Sequence, residues 1–498
     1  FNFKRVLIAN RGEIAIRVAK TLREMNIESV MIFTEEEKDL PHASFGDFAI
    51  NLGIGPLSET YLNIDRLVEI CREYKVDAVH PGYGFLSERP PFAAALEKAG
   101  VELIGPPVAA MEAMGDKKTS KEIMEKAGIP LIPGYHGDAQ DEATLTSEAK
   151  AIGFPVLIKA SAGGGGKGMR IVHEKKDFKE ALESAKREAM NAFGDDKVLV
   201  EKFITDPRHI EVQVMSDKHG QHFHFWEREC SIQRRYQKIV EESPSPAFNQ
   251  DLREKICQTA VKIAETMNYV GAGTVEFILD KDGSFYFLEM NTRLQVEHPI
   301  TEMVTGTDLV QLQVRVAQGE KLPFKQTDIH QTGHAIEVRL YAEDPDRDFM
   351  PSIGTLDVVG ESRLLGVRLD TGYRAGNEVT VSFDPMLAKL IVWGQDRATA
   401  ISKMDLALSD FPFLGLVTNR DYLKRILKHP QFIEGQTYTH FVNSYREDLR
   451  PKEVSGEEVA LGVLAYEFFG AKGSGKRDSG HQGPQQTAWD GLTGFRLN

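Results

Sequence analysis

Residues 276–302, EFILDKDGSFYFLEMNTRLQVEHPITE, hold the densest set of groups able to do chemistry in this chain. The odd positions give Glu289, Asn291, Arg293, Gln295 and Glu297, while even positions from 286 to 296 give Tyr, Leu, Met, Thr, Leu and Val. A period of two puts the polar set on one face of a strand, with the backbone free to leave the sheet beyond Asn291. The turn DKDG folds TVEFIL back against SFYFLEMN. Whether its tip is 281–282 or 282–283, Glu276 and Glu289 then share a face. Two carboxylates that close repel unless a cation lies between them. With Asn291 they offer three oxygen ligands suited to Mg²⁺, or Mn²⁺, on a nucleotide's phosphates. A solvated face that merely tolerates charge is the plainer alternative, but such a face seldom gathers these groups without one aliphatic among them.

A second stretch, KASAGGGGKGMRIV over 159–172, contains G-x-G-x-x-G at Gly163, Gly165 and Gly168. A dinucleotide turn needs a strand before it and a helix after it. FPVLIKA is the strand, but MRIV reads as another strand. A P-loop also fails, because no Ser or Thr follows Lys167. Strand, glycine tract, strand describes a β-hairpin whose tip can bring backbone N–H groups close to an anion. It is either a flexible surface hairpin or a lid over phosphates, and Lys159 and Lys167 favour the lid.

These groups need a scaffold. RVLIAN, GEIAIRVAKTLREM, SVMIF, YLNIDRLVEICREY, DAVHPGYG, PFAAALEKAG and VELIGP alternate strand and helix, which predicts a doubly wound α/β amino-terminal domain. Its first turn, ANRGE, has one glycine where a nicotinamide site needs three. From RHIEVQVMSD onward, runs such as HFHFWERECSIQRR, GAGTVEFILD and GSFYFLEMN predict an antiparallel sheet, with QDLREKICQTAVKIAETM as the one clear helix among them. A β-rich block from HAIEVRLYAED to KLIVWG and two helices then close the body. Expected boundaries are 1–115 for the α/β domain, 116–135 for a connecting helical segment, 136–203 for the lid and 204–446 for the body. A linker spans 447–487, and 488–498 begins a further module, because AWDGLTGFRLN is apolar after a Gly/Ser/Gln stretch.

At 498 residues the chain can bury several cores, and its net charge of −14 argues against nucleic acid or an anionic membrane as partner. Cys71, Cys230 and Cys257 are scattered without metal-ligand spacing, which predicts buried thiols in a reducing compartment. No apolar run approaches a membrane span. The expected location is the cytoplasm, or the mitochondrial matrix if the source is eukaryotic.

HPGYGFLSE, GDK, KASAGGGGKGMRIV, RECSIQRR, EMNTRLQVEHPITE and EVRLYAEDP together resemble, in order and from about Phe3 to Tyr445, the motif series of the ATP-grasp biotin carboxylases. The finer resemblance is to α subunits of acyl-CoA carboxylases of the methylcrotonyl, propionyl or acetyl type. It implies a ligase that uses ATP and bicarbonate to carboxylate biotin N1′ through carboxyphosphate. Lys117 and Lys159 would then contact the phosphates, with Gly164, Gly165 and Gly166 closing over them. Glu201, Lys202 and Ile204 would line the adenine, and His209, Gln233 and Tyr236 would lie near the rest of the nucleotide. Glu276, Glu289 and Asn291 would hold the metal, and Lys238 would assist the γ-phosphoryl group. Arg293, Gln295 and Val296 would bind bicarbonate, Glu297 would be its base, and Tyr83 and Arg339 would meet the biotin ring. Tyr236 is a departure, since the family's usual residue there is histidine, and it puts nucleotide affinity in question. Implied partners are a biotin carrier domain and a carboxyltransferase β subunit in an oligomeric holoenzyme. Two other readings stand beside this one: another ATP-grasp carboxylase or ligase, and a catalytically impaired regulatory subunit.

Overall fold

A computed structural model describes residues 2–160, 169–193, 195–235, 237–360, 362, 364–451 and, further on, 456, 457, 460, 461 and 464. The chain divides into two compact units, Phe1–Arg450 and Pro451–Asn498. In the second unit the residues described beyond 451 are helical, where sequence reading expects a linker. The stretch GEEVALGVLAYEF has apolar residues at helical spacing, which accounts for the difference. The rest of the expected linker and the AWDGLTGFRLN module lie outside the described residues.

The first unit opens on a five-stranded parallel sheet of order β3-β2-β1-β4-β5, built from β1 Arg5–Ile8, β2 Glu28–Phe33, β3 Phe48–Asn51, β4 Ala78–His80 and β5 Glu102–Leu103. Helices α1 (Gly12–Glu24), α2 (Ile64–Glu73) and α3 (Pro90–Ala99) connect these strands. Sequence reading overlooks β3, because FAIN is short and follows only the single 3-10 turn Pro41–Ser44. Gly100, at φ 73°, closes α3 as a left-handed cap. The chain reverses direction around the sheet between β1 and β4, the crevice where open α/β sheets present ligand groups. There Asn10 Nδ2 donates to Pro81 O (2.8 Å) and Tyr83 O (2.7 Å). Gly82 between them sits at φ +63°, and a Cβ there would lie 2.8 Å from Asn10 Nδ2, so only glycine lets this turn deliver Tyr83.

Next comes a four-stranded sheet of order β6-β9-β7-β8: β6 Gly134–Tyr135, β7 Val156–Ala160, β8 Arg170–Val172 and β9 Val198–Lys202. β7 and β8 pair antiparallel, Val156 with Val172 and Ile158 with Arg170. The glycine tract between them, 161–168, lies outside the described residues, so Gly164, Gly165 and Gly166 are not placed. Helices Glu142–Ile152 and Phe178–Phe193 back this sheet through Leu145, Phe178 and Leu182.

The third layer is an eight-stranded antiparallel sheet. It runs β14-β13-β10-β11-β12-β15 and ends with strands Met386–Gly394 and Val367–Thr371. Its labelled strands are β10 Arg208–Ser216, β11 His222–Arg234, β12 Gln237–Ser243, β13 Gly271–Leu279, β14 Phe285–Asn291 and β15 His334–Tyr341. Three elements here escape sequence reading: β12 and the helices His298–Thr305 and Leu309–Ala317. The last reads LVQLQVRVA, whose near-alternation of apolar and polar residues imitates a strand. All three cysteines are free and buried.

His42 is fully buried, and neither ring nitrogen has a hydrogen-bond partner among the described residues. Burial pushes its pKa down to about 4, against the pull of Glu37 and with help from Arg11. Unfolded His42 takes a proton near pH ~6.5, so between there and about 4 the unfolded chain binds more protons. Its share of stability is complete above that window and falls as pH drops through it. Compared with His42→Leu, wild type should therefore lose up to roughly 2 kcal/mol on going from about pH 7 to about pH 5. Urea denaturation of both proteins at each pH reads the difference. A gap that does not change with pH would refute the neutral buried histidine.

Candidate active site

The β13–β14 hairpin sets Glu276 opposite Glu289, as expected, but not by the unbroken alternation that the parity assumed. Leu279 faces Phe285 and Phe277 faces Phe287, a register that would set Glu276 against Leu288. A β-bulge at this point adds one residue and brings Glu289 opposite Glu276, with Asn291 opposite Thr274. The core face changes phase accordingly: Phe285 and Phe287 are buried, then Met290. The odd-position face is therefore wrong before the bulge and right after it, since phenylalanines occupy odd positions in the core. Beyond Asn291 the chain leaves the sheet and passes through Arg293, Gln295 and Val296 to Glu297, which precedes helix His298–Thr305.

Glu297 is at the centre. It has no exposed surface; its Oε1 accepts from Lys238 Nζ at 2.7 Å and its Oε2 from Arg339 Nη2 at 2.9 Å. Lys238 also donates to Glu211 (2.7 Å) and Glu276 (3.0 Å). Arg339 Nε donates to Glu241 at 2.6 Å. Behind Lys238, Arg228 is fully buried, pairs with Glu211 and donates to Gln213, Thr301 and Thr274. Burial alone would push the Glu297 carboxyl up, but Lys238, Arg339 and Arg228 outweigh it and hold the group well below the carboxylate range. Glu276 is likewise lowered, by Lys238 and His209 acting against burial. Burial dominates at Glu241, where Arg339 compensates only in part, and its carboxyl is pushed up to about 7. Lys238 stays protonated: three carboxylates overcome the cost of burying it.

The remaining expected residues gather around this core. Arg293 donates to Glu88 (2.8 Å), Gln295 (2.9 Å) and Asn291 (3.2 Å), and Asn291 Nδ2 donates to Glu276 at 2.8 Å. Gln295 reaches Glu276 at 3.3 Å. Gln233 bonds His209 Nδ1 at 2.8 Å, leaving His209 Nε2 2.8 Å from Glu276. Tyr83 donates to Glu13, and Lys159 pairs with Glu201. Lys202 donates its N–H to Pro133 O at 2.8 Å. Ile204 is buried beside them. Tyr236 and the side chain of Lys117 lie outside the described residues.

One cleft of about 2410 Å³ is lined by Tyr83, Lys159, Glu201, His209, Lys238, Glu276, Glu289, Asn291, Arg293 and Arg339, among others. Carboxylate oxygens from two facing strands with an amide oxygen beside them form the hard donor set that Mg²⁺ prefers, so these residues fit that ion. Sequence reading misses Glu211, Arg228, Glu241, Glu13 and Lys389. The signal for Glu211 was present in RHIEVQV, whose polar residues alternate through strand β10. For the others nothing local separates a buried partner from a surface charge.

Three family models cover the unit in order. They are the biotin carboxylase N-terminal domain over 2–111, the carbamoyl-phosphate synthase L chain ATP binding domain over 116–325, and the biotin carboxylase C-terminal domain over 337–444. The middle model is shared with another ligase class; the flanking two discriminate. Over 447 residues the chain is 48% identical to a pyruvate carboxylase subunit of Methanothermobacter thermautotrophicus, covering 90% of this chain and 91% of that protein. The chain belongs to the biotin carboxylase family. It shares the ATP-grasp fold of those ligases. The biotin carboxylase domain of a thermophilic 2-oxoglutarate carboxylase bound to ADP superposes with a TM-score of 0.86 at 44% identity, over 91% of this chain and all of that one. The alpha subunit of mouse mitochondrial methylcrotonoyl-CoA carboxylase is 48% identical over 469 residues, 93% of this chain. The biotin carboxylase sequence here spans 65% of that relative's length.

Proposed function

We propose that this chain carboxylates biotin at the expense of ATP and bicarbonate, as the biotin carboxylase component of a two-subunit acyl-CoA carboxylase. The observation that carries the reading is Glu297, shared between Lys238 and Arg339 beside the Glu276–Glu289–Asn291 oxygens. A magnesium ion on those oxygens would neutralise developing phosphate charge. Arg293 and Gln295 orient bicarbonate so that its oxygen attacks the γ-phosphorus and ADP leaves, giving carboxyphosphate. Glu297 takes the bicarbonate proton. Carboxyphosphate breaks down to CO₂ and phosphate inside the cleft, and that phosphate takes the proton from biotin N1′. Arg339 stabilises the negative oxygen of the deprotonated ureido group while nitrogen attacks CO₂.

The electrostatics add a coupling to this sequence. With Lys238 and Arg339 both on Glu297, its carboxylate is a poor base. Each cation has a substrate of its own, the γ-phosphoryl group for Lys238 and the biotin oxygen for Arg339. As a cation turns toward its substrate, Glu297 regains basicity, so proton abstraction waits for the nucleotide. Lys159 and the hairpin of β7 and β8 serve the phosphates, and β9 with Ile204 serves the adenine. The expected partners are a biotin carrier domain and a carboxyltransferase β subunit, and the expected place is the cytoplasm or mitochondrial matrix. Relatives named as alpha subunits, several of them mitochondrial, support this.

The purified chain with Mg-ATP, bicarbonate and free biotin should hydrolyse ATP in a biotin-stimulated manner and yield carboxybiotin. Supplied with acyl-CoAs as well, it should form no carboxylated thioester until a carrier domain joins it together with a β subunit. ATP hydrolysis indifferent to both bicarbonate and biotin would sink the first statement, and a thioester formed by this chain alone the second.

A further inference from the structure

Lys389 has no exposed surface, in the middle of strand Met386–Gly394. A buried ammonium costs several kcal/mol unless it is paired, and an apolar residue of similar volume often serves stability equally well. Packing alone does not account for a lysine here; its contacts do. Nζ donates to the carbonyl of Val296 at 2.8 Å, inside the loop between Arg293 and Glu297. It also lies 3.3 Å from Glu13 Oε2 and 3.8 Å from Asp370. The other oxygen of Glu13 accepts the Tyr83 hydroxyl.

Three separate elements therefore meet on one ammonium. Glu13 is in the first turn of α1, Asp370 is on strand Val367–Thr371, and Val296 is in the loop after β14. The first two are locked together by backbone: a Cβ on Gly372 would lie 2.7 Å from Gly12 Cα. Lys389 also stands directly across from Arg339 on the neighbouring strand. The polar face they share carries Glu241 and Glu337 as well, and helix His298–Thr305 packs on these strands.

We propose that Lys389 is a positioning residue, fixing the bicarbonate loop through Val296 and the biotin-facing phenol of Tyr83 through Glu13, so that one ammonium sets the two sites relative to each other. The proposal rests on the biotin carboxylase reading of this cleft. Lys389 touches neither substrate and acts through these neighbours.

The test is steady-state kinetics on the whole chain, with ATP, bicarbonate and free biotin varied in turn. Wild type must show biotin-stimulated, bicarbonate-dependent ATP hydrolysis; its absence overturns the underlying reading and this proposal with it. Lys389→Met should raise KM for bicarbonate and for biotin each by about tenfold, the first through loss of the hydrogen bond to Val296 and the second through loss of the ion pair to Glu13, with KM for ATP held within about twofold. Glu13→Gln keeps the Lys389–Val296 bond, and should raise KM for biotin alone. A folded Lys389→Met enzyme with all three constants unchanged, or with KM for ATP raised equally, overturns the proposal. If thermal unfolding shows that Lys389→Met does not fold, Glu13→Gln decides. A rise confined to biotin upholds the proposal, and an unchanged or general effect overturns it.

Discussion

Glu297→Gln is expected to lower bicarbonate-dependent ATP hydrolysis by about a thousandfold, the range general-base removal spans. Glutamine keeps the length and one acceptor oxygen, so Lys238 or Arg339 can still be held. The lost charge removes the acceptor for the bicarbonate proton. Lys238 keeps Glu211 and Glu276 as partners and Arg339 keeps Glu241, so neither cation is stranded by the change. The folded state should survive, and ATP binding, which does not need the base, should change little. Rapid-quench turnover together with nucleotide titration separates these effects. Wild-type turnover in Glu297→Gln would assign the base elsewhere, and lost ATP binding would make Glu297 structural.

Glu276→Gln should have the next largest effect, abolishing Mg-ATP turnover to within a few parts per thousand while leaving the fold nearly intact. The carboxylate meets Lys238, His209, Asn291 and Gln295 at once and faces Glu289 across the hairpin. Removing its charge weakens metal binding and frees Lys238 to favour Glu211 and Glu297. Both changes act on transition-state charge more than on packing. Raising Mg²⁺ should recover part of the activity, because the loss is in ion affinity. Turnover unchanged in both Glu276→Gln and Glu289→Gln would place the metal on other residues.

Much of the architecture was legible without coordinates. Alternating strand and helix near the amino terminus specified a doubly wound sheet, and a single glycine after the first strand, where three are needed, argued against a nicotinamide turn. MRIV after the glycine tract distinguished a hairpin from a phosphate-binding helix, and β8 is indeed a strand paired with β7. Less legible were the short helix Leu309–Ala317, whose pattern imitates a strand, and β12, which sequence reading passed over between the motif RECSIQRR and the next helix.

The sequence by itself determined the fold class, the family and many, though not all, of the polar groups in the cleft. Those follow from local periodicity and from motif strings, and both are properties of neighbouring residues. That Glu289 shares a face with Glu276 was legible, but tertiary structure alone decided that a bulge carries the strand from the buried phenylalanines Phe285 and Phe287 to that register, because nothing local announces the added residue. It also decided that Glu297 is held by Lys238, 59 residues away, and by Arg339, 42 residues away. Charge state was settled at the same level. Glu241 and Glu297 are the same amino acid bonded to the same arginine, yet one is pushed up to about 7 and the other is held low. Burial penalises both, but Glu297 is ringed by Lys238, Arg339 and Arg228, while Glu241 has the Glu297 carboxylate working against the cations near it.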